Sequence, residues 1–428
     1  MVEQIEATLI EAPAPEEAAA ATTEERAADA GPPLKTLAAF SISAALAACG
    51  GGGGGGGGGL PFAGFGGAAP GAAPDVAADT GPYHYPQAKT DDEAARFLLQ
   101  AQFSASDAEI ADVRAKGYLP WLSERFSAAR APTAWDWTNG KAYNTVDIDA
   151  VIWRDLMVSP DPVRKRMALA LSEIFVVSAT EIGSSWPTHM MAQYWDMLVA
   201  GVTGNFRQLL EDVTLNPAMG FYLNTRDNRK EDASGRQPDE NYAREVMQLM
   251  TIGLYQLNPD GTLKTGADGQ PVETYVQDDV SNLARVFTGY DLDIKAAERN
   301  SFTPPGAGYT IETNAWTTRP MAFTAAKHSM LEARFLGTTV PANTAGPAAL
   351  KIALDALFNH PNVAPFIGRQ LIQRLVTSNP SPAYVKRVAD TFANNGAGVR
   401  GDMRSVFAAV LLDDEARAPT GLSDPNFG

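Results

Sequence analysis

The sequence contains few of the side chains that most often bind metals or act as nucleophiles. There is a single cysteine, Cys49, among 428 residues, which excludes an intramolecular disulfide and a cysteine-rich metal site. Histidine occurs four times, so a zinc site, which needs three or four protein ligands, would have to consist mainly of carboxylates. The sequence has no His-x-x-x-His pair, phosphate-binding loop or Gly-x-Ser-x-Gly elbow. We therefore predict no metal and no cofactor.

Positive charge is also scarce. Lys and Arg together number 34 against 50 Asp and Glu, which gives a formal net charge of −16. A nucleic-acid-binding surface requires clustered positive charge, so nucleic acid is not expected as a partner. Apolar residues make up 45% of the chain, enough for a sizeable core in one large domain or two smaller ones.

The one cysteine ends an apolar segment that begins at residue 37. A helix that spans a bilayer needs about 20 apolar residues, so this segment is too short to cross a membrane and is typical of an export signal. The sequence from Leu46 to Cys49 resembles the lipobox of bacterial lipoproteins, in which the cysteine is lipidated and becomes the new N-terminus. We predict that residues 1–49 are an N-terminal extension and lipoprotein signal, and that Cys49 is the membrane anchor.

The residues before this segment differ from an ordinary export signal. Residues 1–34 are acidic and rich in Pro and Ala, whereas a signal peptide begins with a short basic region. Because Lys35 is the only lysine before the apolar run, we hypothesise that translation starts at Leu34 through a non-AUG codon. Gly50 follows the cysteine in place of the acidic residue that retains lipoproteins in enteric inner membranes. The predicted location is therefore periplasmic or anchored in the outer membrane.

A glycine-rich segment follows the cysteine. Ten consecutive glycines occupy positions 50 to 59, and Gly, Ala and Pro dominate as far as residue 79. Such residues bury little apolar surface and lose much backbone entropy on folding. Residues 50–89 are therefore predicted to be a flexible tether, and residues 90–428 a helical domain.

From residue 90 onward the sequence favours helix. Thr90 and Glu93 have the spacing of a capping box. Ser106 and Glu109 repeat that spacing, and Gly117 stands where a helix end favours a left-handed residue. Apolar periodicity predicts further helices near residues 148–158, 162–178, 188–201, 205–213, 240–252, 278–288, 347–359, 362–377, 382–394 and 402–412. The predicted fold class is mainly α, a single multi-helical domain.

Strand and loop signals interrupt the helices in two places. Asp-Gly turn signatures at 260–261 and 268–269 predict a short β-hairpin insertion. The alternative, a calcium loop, lacks the terminal glutamate that such loops carry. Residues 295–345 are rich in Pro, Gly and Thr and are predicted to be long irregular loops. Loops of that length are usually functional, mobile or wrapped over a core.

A helix predicted to begin near Glu240 carries an unusual density of polar residues. Glu240 and Arg244 are four residues apart, as are Asn241 and Glu245, so each pair shares a helix face. One interpretation is a structural network of ion pairs. The other is a binding or catalytic cleft in which these side chains join Arg285 of the next helix. Buried charges without partners are very unfavourable, so the charged groups must pair in either case.

A second polar segment, residues 224–238, precedes this helix. It contains Arg229 and Lys230 and holds the densest positive charge in the chain. One interpretation is a solvated loop. The other is a lid that attracts an anionic polymer or a partner protein, with Arg229 and Lys230 as binding residues.

Five segments, in order along the chain, resemble the bacterial family called domain of unknown function 1800. They are Arg96 to Phe103, Leu209 to Met219, Glu240 to Gly253, Ala284 to Tyr290 and His360 to Ile367. The resemblance covers about residues 90 to 428. It implies a helical protein exported by bacteria and often encoded beside a protein of the domain-of-unknown-function 1501 family, which looks related to sulfatases and alkaline phosphatases. It implies no established activity.

The chain differs from the family pattern at two points. The family usually has Asn where this chain has Asp239, and its members generally continue beyond residues 424–428 into further helices. We therefore expect the domain to be truncated at its C-terminus. His328 matches a histidine associated with the family and is a candidate general acid or base acting with Glu245.

Three functions are open on these grounds. The first is an accessory or partner subunit of the neighbouring sulfatase-like protein. The second is a hydrolase of envelope or extracellular polymer, and the third is a structural envelope protein. For the hydrolase, the candidate catalytic residues are Glu240, Arg244, Glu245 and His328, with Asn241, Arg285, Arg229 and Lys230 as candidate binding residues.

Overall fold

Helices form most of the protein. The computed structural model describes residues 84–141, 143 and 147–419. Within these residues there are sixteen α-helices, numbered in chain order: α1 Asp91–Ala101, α2 Asp107–Lys116, α3 Tyr118–Ser127, α4 Ala134–Asn139, α5 Ile148–Val158, α6 Pro162–Ser172, α7 Pro187–Gly201, α8 Phe206–Leu215, α9 Pro217–Tyr222, α10 Asn241–Gln248, α11 Gln277–Val286, α12 Gly346–Asn359, α13 Val363–Leu375, α14 Pro382–Ala393, α15 Met403–Leu412 and α16 Asp414–Arg417. The predicted mainly α fold class is confirmed.

Local sequence signals set the first helix starts. The Thr90 hydroxyl accepts the Glu93 N–H at the start of α1. The Glu93 carboxylate bonds the Lys89 N–H and not that of Thr90, so α1 has half of the predicted capping box. At α2, Ser106 and Glu109 form both halves. These caps satisfy N–H groups that a helix start otherwise leaves without partners.

Two helices end earlier than their periodicity predicts. α6 ends at Ser172 and not near residue 178, and the Ser172 hydroxyl donates to the Leu169 carbonyl (2.8 Å) in competition with the backbone. α10 ends at Gln248 and not near residue 252. Beyond it the Ile252 N–H bonds to the carbonyl five residues back (3.0 Å), and Gly253 has a φ of 73°. A left-handed glycine of this kind stops a helix.

The core lies where the longer helices meet. α15 is buried all round: nine of its ten residues are inaccessible to solvent, which fits its nearly unbroken apolar sequence. α7 also contributes a long buried face, and α4, α6 and α8 pack against it. The described residues all belong to one compact unit, Gly54–Gly428. None of the helices in the described part of the chain is both long enough and apolar enough to cross a membrane.

The strands are short and pair in antiparallel twos. β1 (Tyr290–Asp291) pairs with β2 (Ala322–Phe323), and β3 (Ala333–Phe335) pairs with β4 (Thr338–Val340). β3 and β4 form a hairpin whose two loop residues, Leu336 and Gly337, both have positive φ, as a tight hairpin turn requires.

The predicted hairpin insertion contains isolated β-bridges in place of a continuous ladder of strand pairs. Single antiparallel bridges join Leu257 to Leu263 and Thr265 to Pro271, around the two Asp-Gly turns. The long irregular segment 295–345 is wrapped over the core, since Trp316 within it is fully buried. The predicted extension 1–49 with Cys49, the tether as far as residue 83, and residues 424–428 lie outside the described residues.

Candidate functional site

The Glu240 carboxylate joins α10 to α11. It accepts hydrogen bonds from the Ser281 hydroxyl (2.5 Å), from Gln277 Nε2 (2.8 Å) and from Arg244 (3.1 Å). The hydrogen bond from Ser281, followed by those of its other partners, lowers the pKa of Glu240 below its ordinary value although partial burial opposes this. Glu240 is therefore an ionised group in which three of about four lone-pair sites accept hydrogen bonds.

The Glu240–Arg244 ion pair lies at the surface. The two side chains are 34% and 38% exposed, and such an i,i+4 pair contributes about 0.3 to 0.5 kcal/mol. Arg244 also donates to Gln277 Oε1 (3.1 Å). Asn241 is the first residue of α10, and its backbone N–H donates to Asp239 Oδ1 (2.8 Å). The predicted pairing of Glu240 with Arg244 is confirmed, and it links two helices.

Glu245 has different surroundings. It is half-buried, and within the described residues its carboxylate makes no hydrogen bond. Burial raises the pKa of Glu245, and the nearby charge of Arg244 opposes that shift only in part. The same charge field acts on Tyr275, whose pKa burial raises to about 12. Of the two predicted catalytic carboxylates, Glu245 is thus the one whose oxygens accept no hydrogen bond within the described residues.

Arg285 lies on α11 but is turned to another part of the fold. Its Nη1 donates to Asn282 Oδ1 (2.9 Å) and to the Glu332 carbonyl (3.0 Å). Asn282 Oδ1 also accepts the Arg334 N–H (3.2 Å). These contacts hold the start of β3 against α11. Among the described residues, no hydrogen bond or ion pair joins Arg285 to Arg244 or Glu245.

His328 lies in the core, with 1% of its surface exposed. Its Nδ1 is 2.9 Å from the Thr288 carbonyl and 3.2 Å from the Thr288 hydroxyl, and its ring packs edge-on against Phe323. No hydrogen bond in the described part of the chain connects it to Glu240 or Glu245. The structure therefore does not bring the proposed acid–base pair of His328 and Glu245 together through any contact.

A polar cleft of about 290 Å³ is formed by the loop that leads into α10. Its lining residues are all polar or charged: Asn224, Arg226, Asp227, Asn228, Arg229, Arg236, Gln237 and Asp239. We call it the loop cleft. Arg229 lies in this lining, which fits the interpretation of the loop as a lid with Arg229 as a binding residue. Lys230 does not line it; its backbone N–H donates to the Lys327 carbonyl (2.8 Å) and its carbonyl accepts from Arg236 (3.0 Å).

The ends of the loop are held together by one amide side chain. Asn228, which is buried, accepts the Asp239 N–H (2.9 Å) and donates to the Asp239 carbonyl (3.2 Å). Asn224 and Asp227 have φ values of 63° and 55°. Asn and Asp tolerate this left-handed region better than other side chains, and strained backbone of this kind concentrates at functional sites. The loop has a defined shape and is more than a solvated connection.

Opposite charges alternate along one wall of the loop cleft. Arg229 makes a two-point contact with the Asp227 carboxylate (3.1 and 2.8 Å). Lys327 bridges Asp227 (2.6 Å) and Asp291 (3.0 Å). The bond from Arg229, then the bond and charge of Lys327, lower the pKa of Asp227 to about 2. The Asp227 carboxylate therefore stays ionised across the physiological pH range.

Arg226 is held in the loop cleft by contacts that leave its donors free. Its guanidinium stacks over the Phe221 ring, 4.4 Å from the centroid, and its Nε is 3.8 Å from Asp291 Oδ1. The guanidinium makes no hydrogen bond to any residue that the structure describes. Neither Asp291 nor Lys327 is a residue that sequence reasoning identified, because they come from β1 and from a turn about 100 positions away from the loop.

Across residues 84–141, 143 and 147–419 there is no group of three or more His, Cys, Asp or Glu side chains placed to hold one ion. What the loop cleft offers instead is hydrogen-bond donors and acceptors on a rigid frame.

Comparisons with known proteins identify the chain only at the level of a family. Searches of curated proteins and of solved structures found no match. Residues 96–426 match the family described as "Protein of unknown function (DUF1800)". That match covers most of the chain and includes all the candidate residues above except the anchor cysteine. The chain belongs to the DUF1800 family.

Proposed function

We propose that the protein is an exported lipoprotein, anchored through Cys49, whose helical domain is a non-catalytic accessory subunit of a sulfatase-like protein in the cell envelope. The observation that carries this proposal is an exposed apolar face on α5. Trp153 and Met157, four residues apart on the same side of the helix, are 64% and 78% exposed, and Val158 is 63% exposed. Val158 lies about 100° around the helix from Met157 and is not on that side. We call Trp153 and Met157 the α5 face.

Such a face favours a protein partner on physical grounds. Contiguous exposed apolar patches mark interaction sites, and Trp and Met are enriched at protein interfaces. Trp137 is close to this helix, since Arg154 of α5 lies over its ring (5.0 Å) and Lys141 covers it at 4.7 Å. Lys141 and Arg154 are both exposed cations near this helix, which suits a partner whose surface carries acidic groups.

The arrangement of the polar residues supports binding over catalysis. The Glu240 carboxylate is engaged by three partners, and His328 is buried against Thr288. Within the described residues, neither Glu240 nor His328 makes a hydrogen bond to Glu245, so the predicted groups do not form an acid–base pair. A hydrolytic reaction generally needs a positioned pair of groups.

Co-purification from the native host tests the accessory role. We expect the sulfatase-like protein encoded nearby to be retained by the parent chain and lost with Trp153→Ser. Tyr309→Ser is the matched control, because Tyr309 is an aromatic side chain with the same 64% exposure in another part of the fold. Absence of that protein from the parent preparation, or equal retention by both variants, would overturn the proposal.

The anchor has its own test. We expect the native N-terminal peptide to begin at Cys49 and to carry acyl chains in its mass spectrum. Cys49→Ser should release the protein from the membrane fraction. Recovery of native peptides from residues 2 to 33, or unchanged membrane association of the variant, would contradict the lipoprotein assignment.

A hydrolase is the second candidate, and Glu245 is the residue that favours it. A half-buried carboxyl group with a raised pKa has the properties of a general acid. We expect the purified chain to release no reducing ends from envelope polysaccharide. Hydrolysis that disappears in Glu245→Gln would replace the accessory role by the enzymatic one.

A further inference from the structure

We propose that the loop cleft binds one acidic sugar unit, carrying a carboxylate or a sulfate group, of an extracellular polysaccharide. This inference goes beyond the accessory role and does not depend on it, because the loop cleft and the α5 face are formed by different segments. It assigns the chain a ligand of its own.

The size and lining of the loop cleft define the kind of ligand. Its volume of about 290 Å³ is at the lower end for ligand sites, which span roughly 300 to 1,000 Å³, so it suits a single ring and not an extended chain. All of its lining residues are polar or charged. An apolar ligand would desolvate these groups without replacing their hydrogen bonds, which is unfavourable. A sugar ring brings a hydroxyl for almost every donor and acceptor.

The charges of the lining favour an acidic sugar. Three arginines, at positions 226, 229 and 236, lie in the lining with two aspartates, at positions 227 and 239. Arg229 already pairs with Asp227, and Arg236 pairs with Asp232 (3.1 Å) outside the lining. Arg226 has only one carboxylate near it, Asp291, 3.8 Å from its Nε, so its two Nη groups can bind an anion.

Arg226 is the arginine with free binding capacity. Its guanidinium carries five N–H donors and makes no hydrogen bond within the described residues. A guanidinium binds the two oxygens of a carboxylate or sulfate in parallel, with charge-assisted hydrogen bonds. The guanidinium carbon lies 4.4 Å from the centroid of the Phe221 ring, a cation–π contact that helps to hold Arg226 at the loop cleft.

Asp239, which also lines the loop cleft, provides acceptors for hydroxyl groups. Asp239 accepts from the Asn241 N–H (2.8 Å) and from Asn224 Nδ2 (3.3 Å). Its two carboxylate oxygens together have about four lone-pair sites, so acceptor capacity remains on an exposed side chain. Because Asn228 and Lys327 already fix the loop, little ordering entropy is lost when a ligand enters.

The overall charge of the chain limits binding to one unit. A net charge of −16 repels a long polyanion that would lie across the surface. Charges separated by more than about 8 Å are largely screened at physiological salt, so a single anionic ring in the loop cleft interacts mainly with Arg226 and its neighbours. The same argument disfavours nucleic acid.

Calorimetric titration of the purified full chain tests this site. The probes are a galacturonate trisaccharide, a sulfated galactose disaccharide and neutral galactotriose. We expect at least one of the two acidic probes to bind at least about tenfold more tightly than the neutral one, since hydrogen bonds to charged groups contribute roughly 1.5 to 3 kcal/mol. The tighter acidic probe identifies the anionic group.

Variants assign the binding to the loop cleft. Arg226→Ala should weaken acidic-probe binding about tenfold or more, and Arg226→Lys should weaken it less because charge is kept and the fork is lost. Arg334→Ala is the matched control: its side chain is 73% exposed and pairs with one carboxylate, Glu332, away from the loop cleft. Equal melting temperatures of the variants exclude unfolding as the cause.

Three results would overturn the assignment. They are equal binding of acidic and neutral probes, no binding of any probe, and undiminished binding by Arg226→Ala. An oligonucleotide that binds as tightly as the acidic sugar would overturn it as well. The titration uses no partner protein, so failure of the accessory role leaves its outcome unchanged.

Discussion

The hydroxyl of Ser281 lies 2.5 Å from Oε1 of Glu240 and donates a hydrogen bond to that carboxylate. This contact ties the start of α10 to the middle of α11. Glu240, which the sequence predicts to be catalytic, therefore connects two helices. The hydrogen bond also makes the largest contribution to the lowered pKa of Glu240.

Ser281→Ala should therefore raise the pKa of Glu240 and destabilise the fold modestly. We expect a loss of about 0.5 to 1 kcal/mol in urea unfolding at pH 7, since the bond is partly exposed. A carboxylate with a lowered folded pKa contributes stability above its unfolded pKa and loses it as the pH falls through the folded pKa. The difference between parent and variant should accordingly shrink below about pH 4. A difference that does not depend on pH would contradict this assignment.

His189 should make the protein sensitive to acid. It is buried beside Trp186 and Trp135, and burial lowers its pKa to about 4. The unfolded chain binds a proton near pH 6.5, so the stability from neutral His189 is present above that pH and is lost as the pH falls toward 4.

The measurement is the free energy of unfolding of parent and His189→Gln at pH 7 and pH 4.5. The parent should lose about 2 kcal/mol relative to the variant over this interval. Buried Asp196, whose pKa burial raises to about 6, has the opposite effect on stability in the same range, but it is present in both proteins and cancels. Parallel pH profiles would show that His189 titrates normally.

Gly253→Ala should destabilise the fold for two separable reasons. Its φ of 73° disfavours other residues, and an added Cβ would lie 2.7 Å from Cε2 of Phe366 on α13. Gly269 has nearly the same φ, 76°, but open space around it. Gly269→Ala should cost about 1 kcal/mol, and Gly253→Ala should cost at least about 1 kcal/mol more. Equal losses in denaturant unfolding would mean that the contact with Phe366 relaxes freely.

Replacing Lys165 should strongly lower the stability of the fold, because its partner Asp155 is buried with it. Its Nζ lies 2.9 Å from Asp155 Oδ2, and the two side chains are 2% and 5% exposed. Trp195 donates to the same carboxylate (2.7 Å). Lys165→Met leaves a buried charge unpaired and should cost about 3 to 5 kcal/mol. Adding Asp155→Leu should recover part of that loss, whereas an additive double variant would show that the pair does not interact.

Local signals in the sequence predicted much of the fold. Ser106 and Glu109 cap α2 as their spacing predicts, because a capping box involves only four consecutive residues. The ten helices predicted from periodicity all form, since an apolar stripe must face a core wherever that core is. The stop of α10 at Gln248 was not predicted, because apolar residues continue as far as Ile252.

The candidate site was less predictable for the same reason. The pairing of Glu240 with Arg244 follows from their spacing, and Arg229 was identified from local charge density. Contacts across about 100 positions bring Lys327 to Asp227, and similar long-range packing places His328 in the core. The resemblance to the family made this histidine a candidate acid or base, but that resemblance carries no information about burial.

The most direct test of the accessory role is the affinity between the purified chain and the neighbouring sulfatase-like protein, measured by calorimetry at physiological salt. We predict a complex with a dissociation constant below about 1 μM, at least about tenfold weaker binding with Trp153→Ser, and parental binding with Tyr309→Ser. No detectable complex, or equal affinities for the parent and both variants, would contradict the account.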